Sequence, residues 1–104
     1  MKLPAFVRIG PYKWRTVRTN REDHNEAGYC DTEKHEIGVA KEGDLASDDE
    51  EASVLIHEWI HGIIHVHFPE IEDDESLTQK LELIVMQGFR DNKTLVRAIL
   101  RALK

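Results

Sequence analysis

The stretch from Ser47 to Pro69 admits one local structure, and it constrains the rest of the chain. Ser47-Asp48-Asp49-Glu50 matches a capping box, in which the Ser hydroxyl accepts from a first-turn amide and the Glu three residues on reaches back. The acids that follow Ser47 suit the positive end of a helix. Beyond them Ala52, Val54, Leu55, Ile56, Trp59, Ile60, Ile63 and Ile64 put apolar side chains over most of the circumference, so this is expected to be a central, buried helix. Pro69 stops it. About twenty residues in a helix span about 30 Å. In a chain of 104 residues, one such rod leaves material for a single small domain, residues 1–104, with no room for separate cofactor and substrate domains.

The segments on either side differ in period. Phe6 to Ile9 reads as a short strand ended by Gly10-Pro11, and Tyr12, Trp14, Thr16 and Val17 alternate roughly with Lys13, Arg15 and Arg18, the pattern of a half-buried strand with a basic face. Asn20 to Gly28 is polar and turn-forming. Tyr29-Cys30-Asp31 and His35 to Ala40 supply further strands, which together predict a short antiparallel β-meander. After Pro69 the acidic connector Glu70 to Glu75 leads to a second helix carrying Leu77, Leu81, Ile84, Val85 and Phe89, with Gly88 expected near its frayed end. Asp91-Asn92 is placed to cap a third helix, whose Leu95, Val96, Ile99, Leu100 and Leu103 oppose Lys93, Arg97, Arg101 and Lys104. The fold class is therefore α+β, a small sheet packed on three helices.

Charge is distributed unevenly along this plan. Lys and Arg number 14 against 20 Asp and Glu, a formal charge of −6, which argues against a general nucleic-acid binder. Residues 1–21 carry Lys2, Arg8, Lys13, Arg15, Arg18 and Arg21 and no acid, whereas residues 22–82 hold every carboxylate except Asp91. The single Cys30 excludes an internal disulfide and a Cys-based zinc site. No apolar run approaches the ~18 residues of a membrane span, and the first residues lack the apolar core of a signal peptide. The expectation is a cytoplasmic protein without a membrane partner.

Inside the long helix lies His57-Glu58-Trp59-Ile60-His61, an HEXXH pattern. At i and i+4, two imidazoles project from one face a turn apart and can bind a single Zn²⁺, and the intervening Glu58 lies where it can take a proton from a water on that ion. Three polar residues in an otherwise apolar helix cost several kcal/mol unless something satisfies them. A third protein ligand is still required if a coordination position is to stay open for water. His65 continues the series at i+8, but three ligands along a straight helix span about 12 Å, so it joins only if the helix bends at Gly62. Glu75 is favoured, because it opens a helix that returns over the motif, and Glu82 is the reserve. Glu72, Asp73 and Asp74 read more simply as charge at a helix N-terminus.

A short meander, the helix with HEWIHGIIH, and an acidic stretch opening another apolar helix resemble the zincin-type metallopeptidases, in particular the compact ImmA/IrrE-like proteins and small phage or prophage proteins related to them. Gln87-Gly88-Phe89-Arg90-Asp91-Asn92 is similar to the end of that second helix in the small phage proteins. The resemblance covers residues from about 35 to 95, with HEXXH its specific part. It implies zinc bound by His57, His61 and Glu75, with Glu58 as general base. Thirteen residues separate His61 from Glu75, a shorter spacing than in the larger relatives.

Other residues have weaker claims. Cys30 is either an inhibitory thiolate or, more simply, a small core residue. His24, His35, His65, His67 and Tyr29 are candidate donors to an oxyanion or plain surface groups. Trp14 and Trp59 belong to the core, and Ile37-Gly38-Val39 is a candidate edge strand for an extended peptide. The leading expectation is a zinc metallopeptidase acting on a peptide or protein. A catalytically silent, metal-stabilised phage or prophage binding module is the alternative, and a regulator touching nucleic acid through its basic strand or last helix a weaker third.

Overall fold

The structure is a computed structural model that describes residues 1–19, 26–41, 45 and 47–103. His24, Arg21, Lys104 and most of the turn after Thr19 lie outside the described residues. Four strands, β1 (Phe6–Ile9), β2 (Tyr12–Thr19), β3 (Gly28–Asp31) and β4 (Glu36–Ala40), precede three helices, α1 (Asp48–His67), α2 (Glu75–Asp91) and α3 (Lys93–Ala102). The class is α+β, as expected.

The sheet is mixed, which corrects the antiparallel meander. Its order is β1-β2-β4-β3, with β2 and β4 parallel from Arg15↔Glu36 to Thr19↔Ala40 and the β1–β2 and β3–β4 pairs antiparallel. Backbone bonds from Arg15 N–H to the His35 carbonyl and from Lys41 N–H to the Thr19 carbonyl, both 2.9 Å, fasten the two ends of the parallel pair. Burial explains the order. All five residues of β4 are buried, whereas the four of β3 are half-buried, so the interior place goes to the continuous apolar run. Ile37-Gly38-Val39 is therefore not an edge, and β3 is. The turn between them is held by the Asp31 carboxylate, which accepts from the Glu33 and Lys34 amides at 3.1 and 3.0 Å.

Helix α1 follows its sequence signals. The Ser47 hydroxyl accepts from the Glu50 amide at 3.2 Å, and the helix runs 20 residues to His67 with Phe68 as its C-cap. It touches β1, β3, β4 and α2. Trp14, Ile37, Val39 and Ala40 are fully buried beneath it, and Trp59 packs against this core. At Gly62 a Cβ would lie 2.6 Å from Ile9 Cδ1, so the missing side chain lets β1 approach the helix. Part of the basic N-terminal region is neutralised internally: Arg18 Nη1 binds the buried Glu51 carboxylate at 2.6 Å, and Arg15 reaches Glu36 at 3.3 Å. Among the described residues no helix is long and apolar enough to cross a membrane.

Two local expectations are corrected. Gly88 does not end α2, which continues to Asp91. The Asn92 side chain does not cap α3; its amide group instead donates to the Gly88 carbonyl at 3.0 Å, closing the end of α2. Two glycines separate close packing from open space. A Cβ on Gly28 would stand 2.5 Å from Val54 Cγ1 and 2.7 Å from the Gly38 carbonyl oxygen, whereas one on Gly88 meets nothing within 4 Å. Gly28→Ala is expected to destabilise by about 1–3 kcal/mol, and Gly88→Ala to stabilise by up to about 1 kcal/mol through helix propensity. Opposite shifts in melting temperature for the two variants check the packing of β3 on α1.

Candidate metal centre

Residues 57–61 lie within α1, so His57 and His61 emerge one turn apart, with 3.2 Å between their Nε2 atoms. Helix α2 begins at Glu75 and brings its carboxylate across both rings: Oε1 is 3.1 Å from His57 Nε2 and Oε2 is 2.9 Å from His61 Nε2. These three residues form a group whose potential ligand atoms all lie within 4.8 Å of one another. Of the three candidates for third member, Glu75 is the one the fold brings to both Nε2 atoms. His65 lines the adjoining cleft but stands outside the group, because α1 continues through Gly62.

The opposite ring nitrogens are occupied. Glu82 Oε1 sits 3.2 Å from His57 Nδ1, and Asp74 Oδ2 sits 3.0 Å from His61 Nδ1. Thr78, fully buried, places its hydroxyl 3.4 Å from the same nitrogen of His61. A carboxylate facing Nδ1 orients each ring and would accept a hydrogen bond from Nδ1 when a metal occupies Nε2. Asp74 and Thr78 were missed by the sequence reading. Asp74 is the N-cap of α2, yet its side chain makes no capping hydrogen bond; it forgoes about 0.5–2 kcal/mol of helix capping and faces His61 instead. Glu82 has a place as well, holding a ring rather than joining the donor group.

Both Nε2 atoms and the Glu75 carboxylate thus converge on one point. Four carboxylates, those of Glu58, Asp74, Glu75 and Glu82, surround two imidazoles, and no Lys or Arg is among the described residues that line the adjoining cleft. Such a concentration of negative charge favours positive charge in its midst, either a proton on an imidazole or a bound cation. A tetrahedral Zn²⁺ with bonds of about 2.0–2.1 Å keeps its donors about 3.3 Å apart. The separations of 3.2, 3.1 and 2.9 Å fit that requirement with small adjustments, and the charge, number and type of donors suit a dication.

The cleft beside this group has a volume of about 540 Å³ and is bordered by Tyr29 and Cys30 of β3 as well as by Glu58. Burial pushes the Glu58 carboxyl up to about 7, with His57 and His61 opposing the rise. For His61, burial disfavours the charged ring, but Asp74, together with the charges of Glu58 and Glu75, outweighs it and the pKa is raised. Two of the candidate oxyanion donors are placed elsewhere. His35 stacks on Trp14, ring centroids 4.8 Å apart, and His67 lies against Gly10. Tyr29 borders the cleft, while its hydroxyl donates to Glu36 Oε1 at 3.0 Å.

No family model matches the chain, and comparison with curated proteins and with solved structures gave no significant match.

Cys30 settles toward the core reading. It packs against the hydrophobic core from the cleft wall, and burial, aided by the Glu58, Asp74 and Asp31 charges, pushes its thiol up to about 12. Only the thiolate reacts with alkylating reagents, so at pH 8 about one thiol in ten thousand is reactive. In the metal-free protein, iodoacetamide is expected to modify Cys30 slowly, at a rate still rising between pH 8 and pH 10. A rate that levels off near pH 8 contradicts this environment.

Proposed function

We propose that the protein is a zinc-dependent metallopeptidase, with His57, His61 and Glu75 as ligands and Glu58 as the group that moves the proton. The observation that carries this reading is the convergence of two imidazoles and a carboxylate on the edge of an open cleft that also contains the buried Glu58 carboxyl. Two imidazoles and a carboxylate suit zinc and are the ligand set of a hydrolytic site. When bound, zinc acts as a Lewis acid that acidifies water and polarises a carbonyl. Glu58, on the turn between the two histidines, takes a proton from the attacking water and returns it to the leaving amine. Asp74 and Glu82 hold the rings so that each Nε2 faces inward.

A peptide is the favoured substrate class because of β3. As an edge strand bordering the cleft, it offers backbone donors and acceptors to an extended chain laid beside it. A second reading, a metal-stabilised binding module without turnover, is favoured by one observation. Leu95, Ile99, Leu100 and Leu103 are all exposed along one stripe, a contiguous apolar surface of the kind that marks a protein-interaction site.

Purified protein is expected to carry one equivalent of zinc, which His61→Ala loses together with several degrees of melting temperature. Glu58→Gln should retain the zinc and lose peptide hydrolysis by about 10²–10⁴-fold. Undiminished hydrolysis in Glu58→Gln overturns the mechanism, and stoichiometric zinc without turnover on a broad peptide library supports the binding module. Asp74→Asn should weaken zinc binding by about 10–100-fold in a competition titration with a chromophoric chelator. Unchanged affinity removes Asp74 from its orienting role.

A further inference from the structure

Helix α3 is ten residues long and buries none of them. Leu95, Ile99 and Leu103 recur at four-residue intervals and are 57%, 47% and 70% exposed. A helix this short is marginal in water unless its apolar face packs on something. The same molecule holds an unfilled counterpart. Between α1 and α2 runs a groove of about 330 Å³ lined wholly by apolar side chains, among them Ile60, Ile63 and Ile64. On its α2 side Leu77, Leu81 and Val85 also stand at four-residue intervals, so the two apolar rows each extend about 12 Å.

We propose that α3 of one copy docks into the α1–α2 groove of a second copy, in a reciprocal two-fold dimer. The helix cannot fill the groove of its own chain. Only Asn92 separates α2 from α3, and a helical hairpin needs a loop of about 2–5 residues to turn a helix back along its predecessor. Charge favours the second copy. Helix α3 carries Lys93, Arg97 and Arg101 and no acid, while exposed Glu70 and Glu72 flank Ile71 in the groove wall. Antiparallel pairing of α3 with α3 instead would set one basic flank against the other and is disfavoured. Ile64 and Ile71 border both the groove and the metal cleft, so the docked helix lies beside the cleft and extends its wall. The dimer does not depend on the proposed hydrolysis.

Sedimentation equilibrium of the full chain is expected to show a dimer. Ile99→Asp on the helix and Leu77→Asp in the groove should each give a monomer, and a mixture of the two should form a weaker heterodimer held by one of the two reciprocal contacts, since each retains the surface the other lacks. The doubly substituted surface variant Arg97→Glu/Arg101→Glu, in which no buried group changes, should weaken association by about tenfold or more, with Glu70→Lys/Glu72→Lys restoring it. A wild-type monomer at all concentrations overturns the proposal. So does a dimer that persists in Leu77→Asp, which would place α3 against another surface, or an association unaffected by the charge reversal.

Discussion

The cluster of His57, His61 and Glu75, whose facing atoms stand 2.9 to 3.2 Å apart, is the constraint around which the helices are arranged. With a carboxylate on both sides of each ring, it gathers negative charge that a proton on a ring nitrogen or a bound cation offsets. Asp74 and Glu82 add to that charge, each facing an Nδ1 atom. Thr78 is the one buried residue of helix α2, and it too lies against His61. A dication bound there would be coupled to the attachment of α2 on α1, since the same side chains would serve both, and its affinity would add to domain stability.

The sheet contributes by fixing what stands opposite these helices. Because β4 takes the interior position, β3 is displaced to the edge, and Gly28 allows that edge to lie within van der Waals contact of Val54 and close to the Glu58 side chain. An alanine there would push the strand away from the Glu58 side chain. The desolvation that raises Glu58 to about 7 is thus a consequence of strand order as much as of helix position.

What could be read from the sequence follows from the range of the forces involved. The helix at 48–67 and its paired histidines were legible because capping and i, i+4 spacing are local, and Glu75 was reachable because a helix that returns over the motif must start near it. The parallel pairing of β2 and β4 was not read, although its signal was present: Ile37-Gly38-Val39-Ala40 is a continuous apolar run without the alternation of a half-exposed strand. Asp74 was misread for a different reason. An acid before a helix is normally its cap, and nothing in the sequence shows that a tertiary partner, His61, outbids the local amide.

The acidic surplus acquires a structural meaning once its partners are located. Glu51 is occupied by Arg18, and Glu36 by Arg15 and Tyr29, so the basic N-terminal strand and the first acids of α1 neutralise one another within the fold. That weakens any case for the strand as a nucleic-acid surface, since two of its cations are already paired. Of the acids after α1, all but Asp91 lie in the metal group or in the connector at 70–75. Charge near the imidazoles would favour a dication, whereas exposed Glu70 and Glu72 favour a basic partner, and α3 carries Lys93, Arg97 and Arg101 without an acid. In a domain this small the cleft wall and the apolar stripe of α3 are each incomplete, and the charges beside them are of opposite sign. The same contact between two copies satisfies both.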